Sequence, residues 1–218
     1  MEIQAARRSS RSGFSMLEML ISVTILVLVM SAATLVSGTG YDAYSSTTAR
    51  VALQNKALRA LDRVAGEIVT CAESELWPDP LGDFGTQDLR YRQVVGATGG
   101  VADLGPVNRL FLRYAPGEID DGLDNDGDGL ADDCELAFTR DEGGANETTI
   151  VLCRDVREML EGELESGDDT NGNGVTDERG FNLHRVGDVI EIRLSVEKIG
   201  PRGERMSRTL ETSTRLRN

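Results

Sequence analysis

The chain has 218 residues, with 23 basic against 37 acidic side chains and a net charge of −14, a size that suits one medium domain with an appendage. An acidic surface repels phosphate, which argues against a nucleic-acid binder. The acidity is local: residues 118–147 hold twelve acidic groups against one basic and residues 161–180 seven against one, so the remainder is slightly basic.

From Phe14 to Val36 the only charged residue is Glu18, and a helix of that length spans roughly 34 Å, enough to cross a bilayer. Arg7, Arg8 and Arg11 precede this block, and no basic residue follows it until Arg50. That asymmetry keeps the N-terminus in the cytoplasm and exports the rest. A carboxylate within a membrane helix costs about 2.5–3.5 kcal/mol and calls for a counter-ion. The apolar segment contains no cation, so the partner for Glu18 has to come from another chain or from a newly exposed amino terminus.

Residues 11–20, Arg-Ser-Gly-Phe-Ser-Met-Leu-Glu-Met-Leu, resemble the class III signal of type IV pilins and type II secretion pseudopilins. The shared features are a short basic leader ending in Gly, then Phe, then Glu as the fifth residue of the mature chain. This resemblance implies cleavage between Gly13 and Phe14 by prepilin peptidase, methylation of the Phe14 amine, and pairing of Glu18 with that amine on a neighbouring subunit. It implies as partners the major and minor pilins or pseudopilins, the inner-membrane assembly platform and a tip adhesin. In layout, including residues 214–218, the chain is similar to W-type minor pilins or J-type pseudopilins. An ordinary secretory signal cut at Ser31-Ala32-Ala33 and a plain signal anchor are the competing readings, and an embedded Glu18 suits neither; Arg7-Arg8 also matches a twin-arginine signal, for which two adjacent arginines in a basic leader are weak evidence.

Beyond Gly38 and Gly40, which would bend or loosen a helix, apolar residues recur at Val51, Leu53, Ala57, Leu58, Leu61, Val64, Ala65, Ile68 and Val69. Arg50, Lys56, Arg59, Arg63 and Glu67 lie between them, so one apolar face repeats with helical period. No proline interrupts Phe14 to Leu76. The spacing therefore predicts one long helix, with a membrane half over 14–36 and an amphipathic half over 37–76, ended by Trp77-Pro-Asp-Pro.

Residues 77–218 read as a β-rich extracytoplasmic head. Ile190, Ile192, Leu194 and Val196 alternate with Glu191, Arg193, Ser195 and Glu197, the pattern of a half-buried strand. Gly200 to Gly203 supplies a turn, after which Met206 to Leu216 returns. Arg109 to Tyr114 and Thr148 to Cys153 add further strands. The expected class is α+β: a long N-terminal helix packed on a small antiparallel sheet, with calcium-binding loop insertions.

Asp124 to Glu135 is a twelve-residue run with carboxylates at its first, third, fifth, ninth and twelfth places and glycine at its sixth, the spacing of a calcium loop. Asp124, Asp126 and Asp128 would donate side-chain oxygens, Leu130 its carbonyl, Asp132 an oxygen directly or through water, and Glu135 one or two. Upstream Asp120 and Asp121 offer more, and the run also resembles the calcium repeats of thrombospondin type 3. The strand expected at Leu110 to Tyr114 argues against an EF-hand, which needs a helix on each side. A second, weaker site repeats the pattern at Asp169, Asn171, Asn173, Val175 and Asp177; its twelfth place is Gly180, with Asp168 or Glu178 as substitutes. The competing reading is an acidic, glycine-rich disordered insert.

Three cysteines, Cys71, Cys134 and Cys153, allow one disulfide in an oxidising compartment and leave one thiol over, with Cys134 the favoured member of the pair. His184 is the only histidine, so zinc chemistry or a histidine-dependent catalytic group would hang on it alone. Asn146-Glu-Thr148 matches a glycosylation acceptor. The sequence thus reads as a non-enzymatic filament subunit, a minor pilin or a J-type pseudopilin. A membrane-anchored, calcium-dependent adhesion module that never polymerises is the rival from another class.

Overall fold

The structure, a computed structural model, describes residue 13, residues 15–78 and residues 85–216. Arg7, Arg8, Arg11 and Phe14 of the signal, Asp79 and Pro80 of the expected helix stop, and the last two residues of the 214–218 segment lie outside the described residues. A single helix, α1 (Met16–Ile68), opens the chain, and the chain divides into two compact units within it, at Ser45.

In the first unit α1 reaches a mean hydropathy of 2.5 over its most apolar stretch, and its leucine, valine and isoleucine side chains are exposed. The hydroxyls of Ser22, Thr24 and Ser31 donate to the carbonyls of Glu18, Leu20 and Val27, each at 2.8 Å. Polar side chains are thereby satisfied within the helix, as an apolar solvent demands. The Leu17 amide donates to Ser15 Oγ at 3.2 Å, an N-cap contact. The helix runs unbroken through Gly38 and Gly40, so neither glycine melts a turn.

The second unit, residues 46–218, lays the rest of α1 on an eight-stranded antiparallel sheet. Leu53, Ala57, Ala60, Leu61, Val64 and Ile68 recur at three- and four-residue spacing and are all buried. The strands are β1 (Cys71–Trp77), β2 (Asp88–Thr98), β3 (Val101–Tyr114), β4 (Cys134–Arg140), β5 (Thr148–Val156), β6 (Phe181–Val186), β7 (Val189–Ile199) and β8 (Arg205–Arg215). Their order is β1-β2-β3-β4-β5-β7-β6, with β8 also paired to β7. The α+β class stands, with a sheet larger than the small one expected.

Strands β7 and β8 fall where their residue pattern predicted them, and β3 and β5 include the two further candidates, Arg109 to Tyr114 and Thr148 to Cys153. The helix, however, ends at Ile68 and not at Leu76. Cys71 to Trp77 form β1, with Leu76 opposite Tyr91 and Trp77 opposite Arg90. Pairing with β2 satisfies this backbone while burying Cys71 and Leu76, and that tertiary gain overrides the helical pattern. The cysteines are all buried and none forms a disulfide, so the expected pairing of Cys134 is absent; burial keeps the Cys134 thiol protonated, pushed up to about 12.

A buried polar contact helps fix the helix on the sheet. Glu67 is buried on α1 and accepts from Gln93 Nε2 at 2.7 Å and from Tyr91 Oη at 3.2 Å, both on β2. Arg63, one turn earlier, pairs with it at 2.5 Å. The apolar packing around this contact contributes more to stability. Leu61, fully buried between α1 and the sheet, should lose about 2–5 kcal/mol of stability when cut to alanine. Denaturant unfolding checks this, with the half-exposed Leu58→Ala as the control that changes little.

Candidate metal centre

Two acidic loops leave the sheet, residues 115–133 between β3 and β4 and residues 157–180 between β5 and β6. In the first, the Asp124 carboxylate accepts from the amides of Gly127 at 2.6 Å and Gly129 at 2.9 Å. Asp126 accepts from the Asp128 amide at 3.0 Å and Asp128 from the Leu130 amide at 2.9 Å. These bonds coil the backbone so that carboxylate oxygens of Asp124, Asp126 and Asp128 lie within 4.8 Å of one another. Gly129 has a φ of 95°, and a Cβ there would sit 2.9 Å from Ile199 Cγ1 on β7, so glycine is required both for the turn and for its approach to the sheet.

The later places of the twelve-residue pattern go elsewhere. Asp132 Oδ1 accepts from the amides of Asp121 and Gly122, each at 3.1 Å. Glu135 is buried on β4 opposite Arg113, whose Nε donates to it at 2.7 Å. The Leu130 side chain is buried. The structure thus brings together the first three predicted residues and directs Asp132 and Glu135 to a backbone turn and a cross-strand ion pair.

Three further acids that the spacing did not indicate join the cluster. Oxygens of Glu118, Asp126 and Asp133 lie within 4.8 Å of one another, and so do those of Asp128, Asp133 and Asp155. Glu118 turns its Oε1 to the amides of Asn125 at 2.9 Å and Asp126 at 2.8 Å, and its Oε2 to the amide of Asp132 at 3.1 Å, which makes it the strut of the loop. Asp133 is 2% exposed and its Oδ1 has no hydrogen-bond partner. Burial, with Asp128, Asp126 and Glu118 beside it, raises its carboxyl to about 7. Burial first and neighbouring carboxylates second also raise Asp128. Glu118 had a local signal, since Glu163 stands in the same relation to Asp169; Asp155, on β5, had none.

The second loop repeats the first, each residue matched by the one forty-five positions later. Asp169 accepts from the amides of Gly172 at 2.6 Å and Gly174 at 2.8 Å. Asn171 and Asn173 accept from the amides of Asn173 and Val175 at 3.0 and 2.9 Å. Asp177 Oδ1 accepts from the amides of Ser166 and Gly167, and Glu163 Oε1 from those of Thr170 and Asp177. Asp132 and Asp177 share a left-handed φ, 52° and 49°. Val175 is buried like Leu130. The amides of Gly174, Gly172 and Asn173 hold the exposed Asp169 carboxyl below its ordinary range.

One difference separates the loops. Glu178, which matches Asp133, is fully buried yet fully engaged: Arg193 Nη1 donates to its Oε1 at 2.7 Å. The side-chain amides of Asn173 and of Asn171, the latter at 3.4 Å, donate to its Oε2. The acidic clusters of the first loop offer oxygen only, a donor set that suits a hard divalent cation, and Cys134 beside them is a protonated thiol.

A separate feature lies at the other end of the chain. Glu18 occupies the first turn of α1, exposed, with no cation in ion-pair contact among the described residues. Gly13 is exposed, and Phe14 lies outside the described residues. Residues 8–34 match the family model described as the prokaryotic N-terminal methylation motif, a span that includes Gly13, Phe14 and Glu18. Comparisons with curated proteins and with solved structures give no match. The chain therefore carries a prepilin-type methylation motif on an α+β fold with a long apolar N-terminal helix, a combination consistent with the type IV pilin and pseudopilin superfamily.

Proposed function

We propose that this chain is a non-enzymatic minor subunit of a type IV pilus-like filament, held in the inner membrane by α1 before assembly and carrying a head stabilised by calcium. The observation behind this reading is the methylation motif lying over an apolar stretch, residues 14–36, whose single acid, Glu18, is the fifth residue counted from Phe14. After cleavage by prepilin peptidase, the methylated Phe14 amine of one subunit would meet the Glu18 carboxylate of its neighbour. In hydrocarbon such a pair sets axial register, because either charge left alone is costly. The remaining apolar face of α1 supplies lateral packing with major and minor subunits, and the assembly platform receives the helix from the membrane.

Calcium suits the head because its acidic loops are exported to a compartment where millimolar calcium fills sites with dissociation constants of about 10⁻⁴–10⁻³ M. Uncompensated carboxylates repel one another, so the ion would act on folding as much as on binding. The proposed route into priming, adhesion or secretion runs through contacts of this head with other minor subunits or a tip adhesin. A J-type pseudopilin would use the same stem in a secretion system, and gene neighbourhood separates the two.

Three measurements test the reading. The mature chain should begin with an N-methylated phenylalanine at residue 14 by mass analysis, and Glu18→Ala should insert into the membrane yet fail to enter filaments. A variant that assembles as the parent does would instead mark the non-polymerising adhesion anchor. For the head, calcium at a hundredfold excess over its dissociation constant should add about 2.7 kcal/mol of stability. Thermal melts with and without chelator read this; an unchanged melting temperature removes calcium from the account.

A further inference from the structure

The two acidic loops share one backbone plan and meet the same buried acid with different counter-charges. In the first, the acid is Asp133, 2% exposed, with Oδ1 unpartnered and with oxygens of Asp126, Asp128 and Asp155 within 4.8 Å of it. Oxygens bound to one calcium ion at 2.3–2.6 Å stand at most about 5 Å apart, so the mutual spacing of Asp128, Asp133 and Asp155 fits a shared ion, with Asp126 adjoining both Asp128 and Asp133. Among the described residues the one cation in ion-pair contact with this group is Lys56, at 2.6 Å from Asp155 Oδ2. A single ammonium at one edge leaves Asp133 without a donor.

In the second loop the matching acid is Glu178, and its counter-charge comes from the protein. Arg193 supplies the guanidinium at 2.7 Å. At the places of Asp126 and Asp128 stand Asn171 and Asn173, whose side-chain amides donate to Glu178 Oε2. Two acceptors have become two donors at the positions that face the buried acid. At the position of Asp133, the charge and hydrogen bonds that an ion would satisfy in the first loop are thus met in the second by side chains.

From this difference we infer that the first loop binds one calcium ion against Asp133, with Asp126, Asp128 and Asp155 supplying the surrounding oxygens, and that the second loop is closed by Arg193 and binds none. This assignment rests on the calcium reading above and refines it, since it replaces Asp132 and Glu135 as ligands and removes the second site. Asp132 and Glu135 are held by the Asp121 and Gly122 amides and by Arg113.

The test is equilibrium dialysis of calcium against the full-length protein in detergent micelles. One ion per chain is expected. Asp133→Asn and, separately, Asp128→Asn should each weaken binding by at least about tenfold, through loss of ligand charge, while circular dichroism confirms that the chain stays folded. Glu135→Gln and Asp169→Asn should bind as the parent does. Two ions on the parent chain, or one whose affinity survives both Asp133→Asn and Asp128→Asn, would overturn the assignment and leave the calcium reading intact. No calcium on the parent chain at all would remove both.

Discussion

A carboxylate shut away from water has to be met by hydrogen bonds, by a positive charge or by a proton, because leaving it charged and alone is among the largest penalties a fold can carry. Asp133 is where this protein faces that constraint most sharply. It sits at the last position before β4, so the backbone that carries it is fixed by strand pairing from Cys134 onward. Its carbonyl accepts from the Ala115 amide at 2.9 Å, which ties the same backbone to the end of β3. The loop before it is held by Glu118, whose two oxygens clamp three amides, and that clamp drives Asp126 and Asp128 toward the same point. The concentration of charge is therefore a product of how the loop is tied down.

Strand β7 shows how the sheet distributes the solutions. Arg193 projects to Glu178 of the second loop. Glu197, on the same face four residues on, is buried near the first loop, where burial and the nearby Asp128 and Asp155 raise its carboxyl despite Arg157 at 3.7 Å and Arg205 at 3.9 Å. One strand thus gives a cation to one loop and a further acid to the surroundings of the other. The long helix is tied to the opposite end of the sheet by Glu67, whose three partners are all side chains of the protein. Buried acids here differ in how they are met: side chains of the protein engage Glu67, Glu135 and Glu178, whereas Asp133 keeps a carboxylate oxygen without a hydrogen-bond partner, as do Glu163 and Glu197.

Much of this architecture was legible in the residues because burial on one face leaves a period. Strand β7 alternates from Val189 to Leu194, and Leu53 to Ile68 repeat as a helix does. Strand β4 was not legible, since Cys134 to Thr139 are buried on both faces and nothing alternates. In β2 the alternation of Leu89 and Tyr91 with Arg90 and Arg92 lasts only until the ladder shifts at its bulges. Strand β1 carried no proline and no period of its own, and only its pairing with β2 distinguishes it from a last helical turn. At the site, local spacing revealed Asp124, Asp126 and Asp128, whose geometry is set by amides two to five residues away. Glu135 was misplaced because a partner in β3, distant in sequence, decides where it points. Asp155 belongs to the cluster only through the pairing of β4 with β5.

The duplication carries the argument one step further than either loop alone. Sequence spacing ranks the loops as a strong and a weak version of one calcium site, since asparagine ligates less well than aspartate. The contacts give a different relation. Replacement of Asp126 and Asp128 by amides would be a simple loss if nothing else changed, yet it coincides with a longer acid at the matching position, Glu178, and with a guanidinium within reach of it. A longer carboxylate, two donors and a cation are mutually dependent: remove the arginine and the glutamate is stranded, restore the aspartates and the glutamate is repelled. Such a set is complete without an ion, and it keeps the turn closed whatever the calcium concentration outside the cell. The first loop lacks every member of that set. Its order would then follow the ion, so that one corner of the head responds to its surroundings while the matching corner does not.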